Sequence, residues 1–522
     1  MIKGLHFLVI VFLFFGCATN NARKSLEKLK TEIKTANYEG ARKVVLAKDF
    51  YADDNSKLLK LVEIGTVEYL NGNLYQALQA FDEAKELSDK LFTVSISKKL
   101  KSAFLNDSED NYYGDLFERS YIRYYQALIH FKLSEKGEYE SYEVVHMSED
   151  GKEEKSKKII AAKTLDAKEK RFHLFAARSV LIEWNSLLSQ MTQKGLGHVV
   201  FKDDLIAKLL GAFIHERIGT RDDRQIAMGL YRSAVDLLFK NYNFFKTFNE
   251  KNELFKKDFD KLPNKELAEV ERTYVQKTNE YKKLSTLLAS REKEVKANKF
   301  ANFAFVLEEN FISDKYAKKI DFPLNLVAIP TTVNDKNDFF SFVAKILHIS
   351  VGANPKISFE LPAIKGKVDS AEYYLEIENG KKEKIDLVAV DPLSEMAELA
   401  LDNQIVATTA RTGARVAGKH MAALVAAYLT YKSSAKSLGN ELGYFAGAAS
   451  YVAANKGIEY SERADLRSWS TLPSTIKFTS AFIPKGKYKI RLFQKAEKPI
   501  LVKDYGEVLI NKEGTLLTHR KS

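Results

Sequence analysis

Between Arg23 and about Asn298, apolar residues recur three and four positions apart with charged residues between them and few prolines, the spacing of helices that each bury one stripe. Beyond Asn298 the period changes. Phe303 to Leu307, Leu324 to Thr332, Ile357 to Leu361, Tyr373 to Ile377, Lys384 to Val390, Thr475 to Phe482, Lys487 to Phe493 and Leu501 to Ile510 read as strands, punctuated by Pro and Gly. Pro484-Lys485-Gly486 reads as a hairpin turn, where glycine supplies a positive φ. Asp391 to Lys456 interrupts these strands and is helical again.

Within the helical half, Leu61, Ile64 and Gly65 on one predicted helix, Gly72 at a turn, and Ala77, Phe81 and Ala84 on the next resemble a tetratricopeptide repeat. The spacing has a packing logic. Small residues at Gly65, Ala77 and Ala84 let two helices approach, and Phe81 fills the groove toward the following pair. A second copy runs from Leu210 to Leu238, with Gly219 at its turn and Ala227, Tyr231 and Ala234 repeating the small-aromatic-small pattern. Leu116 to Phe131 and Phe172 to Met191 read as further helices of the stack, while the mixed charges of Met147 to Lys170 read as solvated loops or helix ends. Leu267, Val270, Tyr274, Tyr281, Leu284 and Leu288 predict one long amphipathic helix.

The expected class is therefore multidomain α+β. An N-terminal array of tetratricopeptide-like helical repeats occupies 18–260, the long helix 261–300, and a β-sandwich-like domain 301–522, with an Ala/Gly-rich helical insertion at 391–460. In that insertion Gly439, Gly443 and Gly447 lie four residues apart on one helix face. They suit either close packing of a helical hairpin or contact with a membrane or a second copy.

Lys3, the apolar stretch Phe7 to Phe15 and the polar tail from Ala18 have the layout of an export signal, shorter than the ~20 residues a membrane-spanning helix needs. Gly16 directly before Cys17, the one cysteine in the chain, resembles the lipobox of bacterial lipoproteins. That resemblance implies cleavage before Cys17, lipid on its sulfur and fatty-acid anchoring. With Ala18 following in place of Asp, it implies the outer membrane. Residues 1–17 are thus set apart as signal peptide and lipidated cysteine, the alternative being an ordinary secretory signal with an incidental cysteine.

Composition narrows the chemistry. At 522 residues, 45% of them hydrophobic, the chain is too long for one compact core, and 9 Pro with 25 Gly exclude a low-complexity chain. A formal charge of +12 spread over that length, with no recognisable nucleic-acid module, argues against a nucleic-acid partner. One cysteine rules out an intrachain disulfide framework, and the histidines are not paired at the short helical spacing of metal ligands. Walker loops, dinucleotide fingerprints and Gly-x-Ser-x-Gly elbows are missing from the sequence. No catalytic residue, metal or cofactor is expected.

The stretch Glu462 to Pro473, which contains Ala464-Asp465-Leu466-Arg467-Ser468-Trp469, completes a larger resemblance. Taken with the lipobox, the repeats and the Ala/Gly helix, the chain resembles an uncharacterised family of bacterial lipoproteins with tetratricopeptide-like repeats. The resemblance implies architecture and location without an activity. Asp465, Arg467 and Trp469 have two readings, a docking site for a sugar or peptide or a joint tying the insertion to the sheet. The expected role is a non-enzymatic periplasmic scaffold that binds envelope proteins through its repeats and a membrane through its anchor. An accessory factor for peptidoglycan synthesis or envelope assembly, with peptidoglycan as a partner, and a cell-wall hydrolase are the alternatives.

Overall fold

The computed structural model describes residues 16–98, 110–147, 154–193, 204–244, 282–323, 336–351, 356–364 and 370–522. The export signal before residue 16, the expected strand Leu324 to Thr332 and most of the expected helix 261–300 lie outside the described residues. The fold is mixed α+β, with a helical N-terminal region and a seven-stranded C-terminal sheet.

The helices are α1 (Gly16–Lys34), α2 (Tyr38–Val45), α3 (Lys57–Asn71), α4 (Leu74–Lys98), α5 (Leu116–Lys136), α6 (Ala167–Gln193), α7 (Leu205–Ile218), α8 (Arg221–Phe244) and α9 (282–296). From α1 to α8 each packs on the next. Two hairpins stand out, α3/α4 and α7/α8. In each the first helix ends on a glycine in the left-handed region, Gly72 at φ +83° and Gly219 at φ +73°, which frees the chain to reverse. The Phe81 ring lies so close to Gly65 that a Cβ there would come within 2.8 Å of it, so glycine is what allows the close approach.

Between α5 and α6 the charged stretch is not a plain loop. Strands β1 (Glu138–Tyr139), β2 (Tyr142–Met147), β3 (Glu154–Ile160) and β4 (Lys163–Thr164) form two small antiparallel ribbons, β1 with β4 and β2 with β3.

The C-terminal strands are β5 (Phe303–Glu309), β6 (Lys315–Pro323), β7 (Lys356–Ile364), β8 (Tyr373–Asn379), β9 (Lys381–Asp391), β10 (Thr475–Ala481), β11 (Gly486–Gln494), β12 (Ile500–Ile510) and β13 (Thr515–Lys521). Seven of them make one sheet in the order β12-β11-β8-β9-β10-β5-β13, antiparallel except for β13 beside β5. The expected sandwich of two sheets is replaced by one sheet coiled on itself. Tyr505 of β12 sits edge-on to Phe305 of β5 at 5.8 Å and to His519 of β13 at 6.4 Å, although β12 and β13 are opposite ends of the hydrogen-bonded order. Register shifts in the β11/β12 and β9/β10 pairs supply local bending, and the sheet covers its own apolar face.

Strand β5 shows how this works, because all seven of its residues are buried. Phe303, Phe305 and Leu307 fill the inside of the coil with Leu375, Ile490 and Leu492. Ala304 and Val306 face the other way and share one continuous core with Leu59, Phe81 and Leu128 of the helices. Residue 300 is thus no packing boundary.

The expected insertion starts in the main core, through Leu393, Met396, Ala397 and Ala400, and then gathers a second core of its own. The helices α10 (Lys336–Val351), α11 (Leu393–Leu438) and α12 (Asn440–Ser461) join the ribbon β6/β7 around their own core of Phe342, Ile346, Phe359, Leu424, Tyr428 and Tyr451. Gly439, at φ +84°, makes the turn between α11 and α12. A Cβ at Gly443 would lie 2.8 Å from Ala435, and one at Gly447 would lie 2.9 Å from Phe342, so these two glycines serve internal packing. Among the described residues no helix is long and apolar enough to cross a membrane.

Candidate functional site

Trp469 is 1% exposed and lies between the helical array and the sheet, with its ring 5.8 Å from Phe81 and 5.7 Å from Tyr125, which stack on each other at 5.1 Å. Its indole N–H donates to Thr66 Oγ1 at 3.1 Å and Thr471 Oγ1 at 3.2 Å. The backbone beside it is held by two buried glutamates. Glu118 Oε1 accepts the Trp469 N–H at 2.8 Å, and Glu63 Oε1 accepts the Ser470 N–H and hydroxyl, each at 2.8 Å. Thr471 Oγ1 donates to the other Glu63 oxygen.

Glu118 is also the helix-capping acid of α5, its Oε2 accepting the Asp115 N–H at 2.9 Å. Burial, reinforced by Asp115, pushes its carboxyl up to about 7, with Lys315 and the hydrogen bonds of Tyr112 and Trp469 pulling it down. Burial likewise raises Glu63.

Asp465 and Arg467 form a bidentate pair at 2.9 and 2.8 Å, and the same guanidinium reaches the Asp110 carbonyl at 3.0 Å. These three residues face the chain's own helices: Arg467 holds the Asp110 carbonyl and Trp469 packs on Phe81 and Tyr125, so the joint they make fastens the segment to the helical array, where the sequence reading ties the insertion to the sheet.

The residues of that hairpin, Gly65, Gly72, Ala77, Phe81 and Ala84, come together at this joint or its edge, with Ala77, Phe81 and Ala84 fully buried. In the second hairpin Ala227, Tyr231 and Ala234 are buried, and the Tyr231 hydroxyl donates to Glu216 at 2.6 Å. Arg291 of α9 completes that cluster with a 2.6 Å bond to Glu216. Cys17 stands in the first turn of α1, a helix fastened to the body by buried Leu29 and Ile33 and by the Lys30–Asp314 pair at 2.5 Å.

A polar cleft of about 520 Å³ opens beside the joint, where the α3/α4 turn, the end of α5 and strand β13 meet. Glu308 faces Arg520 at 3.5 Å and accepts the Tyr124 hydroxyl at 3.0 Å. Arg520 in turn donates to the Thr471 carbonyl at 2.8 Å, which links the cleft to the docked segment. Burial, then the charges of Lys503 and Lys521, push His519 down to about 4, so it is neutral near pH 7. Lys132 lines the cleft with no ion-pair or hydrogen-bond partner among the described residues, and burial lowers its pKa. None of Lys132, Glu308, His519 or Arg520 carried a sequence signal, since each is a lone polar residue in its own element.

Two further clusters lie away from the cleft, the first of them between the helical half and the sheet and the second within the helical half. Asp204 at the start of α7 faces Asp391 at the end of β9, and the Tyr121 hydroxyl donates to Asp391 at 2.5 Å. Burial pushes Asp391 up to about 6, and burial with the neighbouring Asp391 carries Asp204 well above the carboxylate range. His130 and His173, 43 residues apart and on different helices, meet Nδ1 to Nδ1 at 2.8 Å, a pairing that short helical spacing could not reveal. Among the described residues no group of three or more His, Cys, Asp and Glu could hold a metal ion.

Compared with protein-family models, curated proteins and solved structures, the chain matches none of them.

Proposed function

We propose that this chain is a non-enzymatic lipoprotein scaffold of the bacterial cell envelope, anchored at the outer membrane through Cys17 and presenting its long helical hairpin to an envelope protein. Its two helical pairs are of the tetratricopeptide type, and the first of them holds the chain's own 465–471 segment in place of a foreign peptide. The docking surface therefore moves from the repeat groove to the hairpin α11/α12.

The observation that carries this reading is the apolar end of that hairpin. Leu438 and Leu442 flank the Gly439 turn at 59% and 56% exposure, and Phe445 one turn further is 73% exposed. Apolar side chains clustered in water in this way suit burial against a partner. The anchor geometry is compatible, because helix α1 runs from Cys17 to the buried Leu29 over roughly 18 Å, which keeps the body near a membrane.

In-cell photo-crosslinking from position 445, combined with fatty-acid labelling, tests the proposal. The expected result is a discrete adduct with one envelope protein that disappears when Leu438 and Leu442 are both changed to Ser, and a lipid label that is lost in Cys17→Ser. An adduct pattern indifferent to the Ser changes would contradict the docking surface. Membrane retention of an unlabelled Cys17→Ser chain would contradict the anchor.

A further inference from the structure

The cleft beside β13 is independent of the hairpin and of the anchor, and its groups are unequally used. Its acids are engaged: Glu308 with Tyr124 and Arg520, and Glu135 as acceptor of the Leu516 N–H at 3.2 Å. Two donors are not. The Tyr69 hydroxyl is buried, in a residue only 6% exposed, and has no partner in hydrogen-bond geometry, the Thr518 side chain being the polar group that approaches it and opposes the rise in pKa that burial causes. The ammonium of the half-buried Lys132 has neither an ion pair nor a hydrogen bond among the described residues, and burial lowers its pKa. A partly buried cation without a counter-ion and a buried hydroxyl without a partner in hydrogen-bond geometry both gain from a ligand acceptor placed between them.

From this inventory we propose that the cleft binds a small organic monocarboxylate, its carboxylate held by Lys132 and the Tyr69 hydroxyl and its apolar part lying along Tyr38, Leu70 and Leu74. Charge selects the head group. Lys132, Lys136 and Arg520 stand against Glu135 and Glu308, an excess of one positive charge among the lining residues, which fits a monoanion and opposes a phosphate dianion. The apolar wall selects an organic tail, and the volume of about 520 Å³ lies in the range of small-molecule sites. A free short fatty acid and the C-terminus of a peptide both present this chemistry.

Calorimetric titration of the full chain with hexanoate, hexanamide and N-acetyl-alanyl-alanine tests the site. At least one of the two acids should bind saturably, with the tighter one identifying the source, and hexanamide should bind roughly tenfold more weakly than hexanoate or not at all. Lys132→Met should abolish acid binding. Without ligand it should melt no lower than the parent, since it removes a partly buried cation with no ion pair or hydrogen bond among the described residues; a purely structural lysine would lower the melting temperature. Tyr69→Phe should weaken binding several-fold. The proposal is overturned if neither acid binds, if hexanamide binds as well as hexanoate, or if Lys132→Met retains the affinity of the parent.

Discussion

Trp469→Ala is expected to lower the unfolding free energy by about 3–5 kcal/mol, the usual cost of emptying a buried tryptophan site. Two aromatic partners, Phe81 and Tyr125, lose the ring they pack against, and Thr66 loses a donor. The cavity would open in the core shared by the helices and the outer face of the sheet, so both halves should melt together at a lower urea midpoint. The other tryptophan, Trp184, is fully buried and remains as a fluorescence reporter. Trp469→Phe, which keeps an aromatic ring and loses the N–H, should cost about 1 kcal/mol. A change below about 1 kcal/mol for the alanine variant would mean that Trp469 belongs to an exposed docking site.

The second large effect is on pH dependence. Asp391 and Asp204 hold protons in the folded chain that they release in the unfolded one, because burial raises both carboxyls and the neighbouring Asp391 charge raises Asp204 further. Stability from this pair is therefore complete below about pH 4, where both states are protonated, and falls as the pH rises toward and through about 6. For Asp391 alone, a rise from roughly 3.9 to about 6 corresponds to roughly 3 kcal/mol lost by pH 8. Glu63 and Glu118 slope the same way, so the difference between chains isolates the pair. Asp391→Asn should flatten the change in urea-derived stability between pH 5 and pH 8 by roughly half of that amount, since the other half is already lost between about pH 3 and pH 5. An unchanged slope would show that the two carboxyls do not share this site.

Much of the fold was legible because most elements bury one face. Helices α3 to α8 announce themselves through their apolar spacing and through the glycines that end α3 and α7, and β5, β8 and β9 through short apolar runs. The elements that escaped have physical reasons. Strand β3, Glu-Lys-Ser-Lys-Lys-Ile-Ile, pairs with one neighbour only, so its charges looked like a loop. Strand β13 ends in Thr-His-Arg-Lys, polar residues that look like a tail until Arg520 is seen paired with Glu308 and Thr471. The coil of the sheet depends on register shifts that no local pattern records. Asp465, Arg467 and Trp469 were visible as a motif, yet whether they face a partner or the chain's own helices depended on Glu63 and Glu118, more than 350 residues earlier in the chain.

The account rests on the 465–471 segment being locked into the helical groove, so that array and sheet unfold as one body. Native-state hydrogen exchange at the Trp469 and Ser470 amides reads this directly, since each donates at 2.8 Å to a buried glutamate. Both amides should exchange only through global unfolding, with the same free energy as the central amides of α5. Exchange at the rate of an exposed loop while α5 stays protected would contradict the claim.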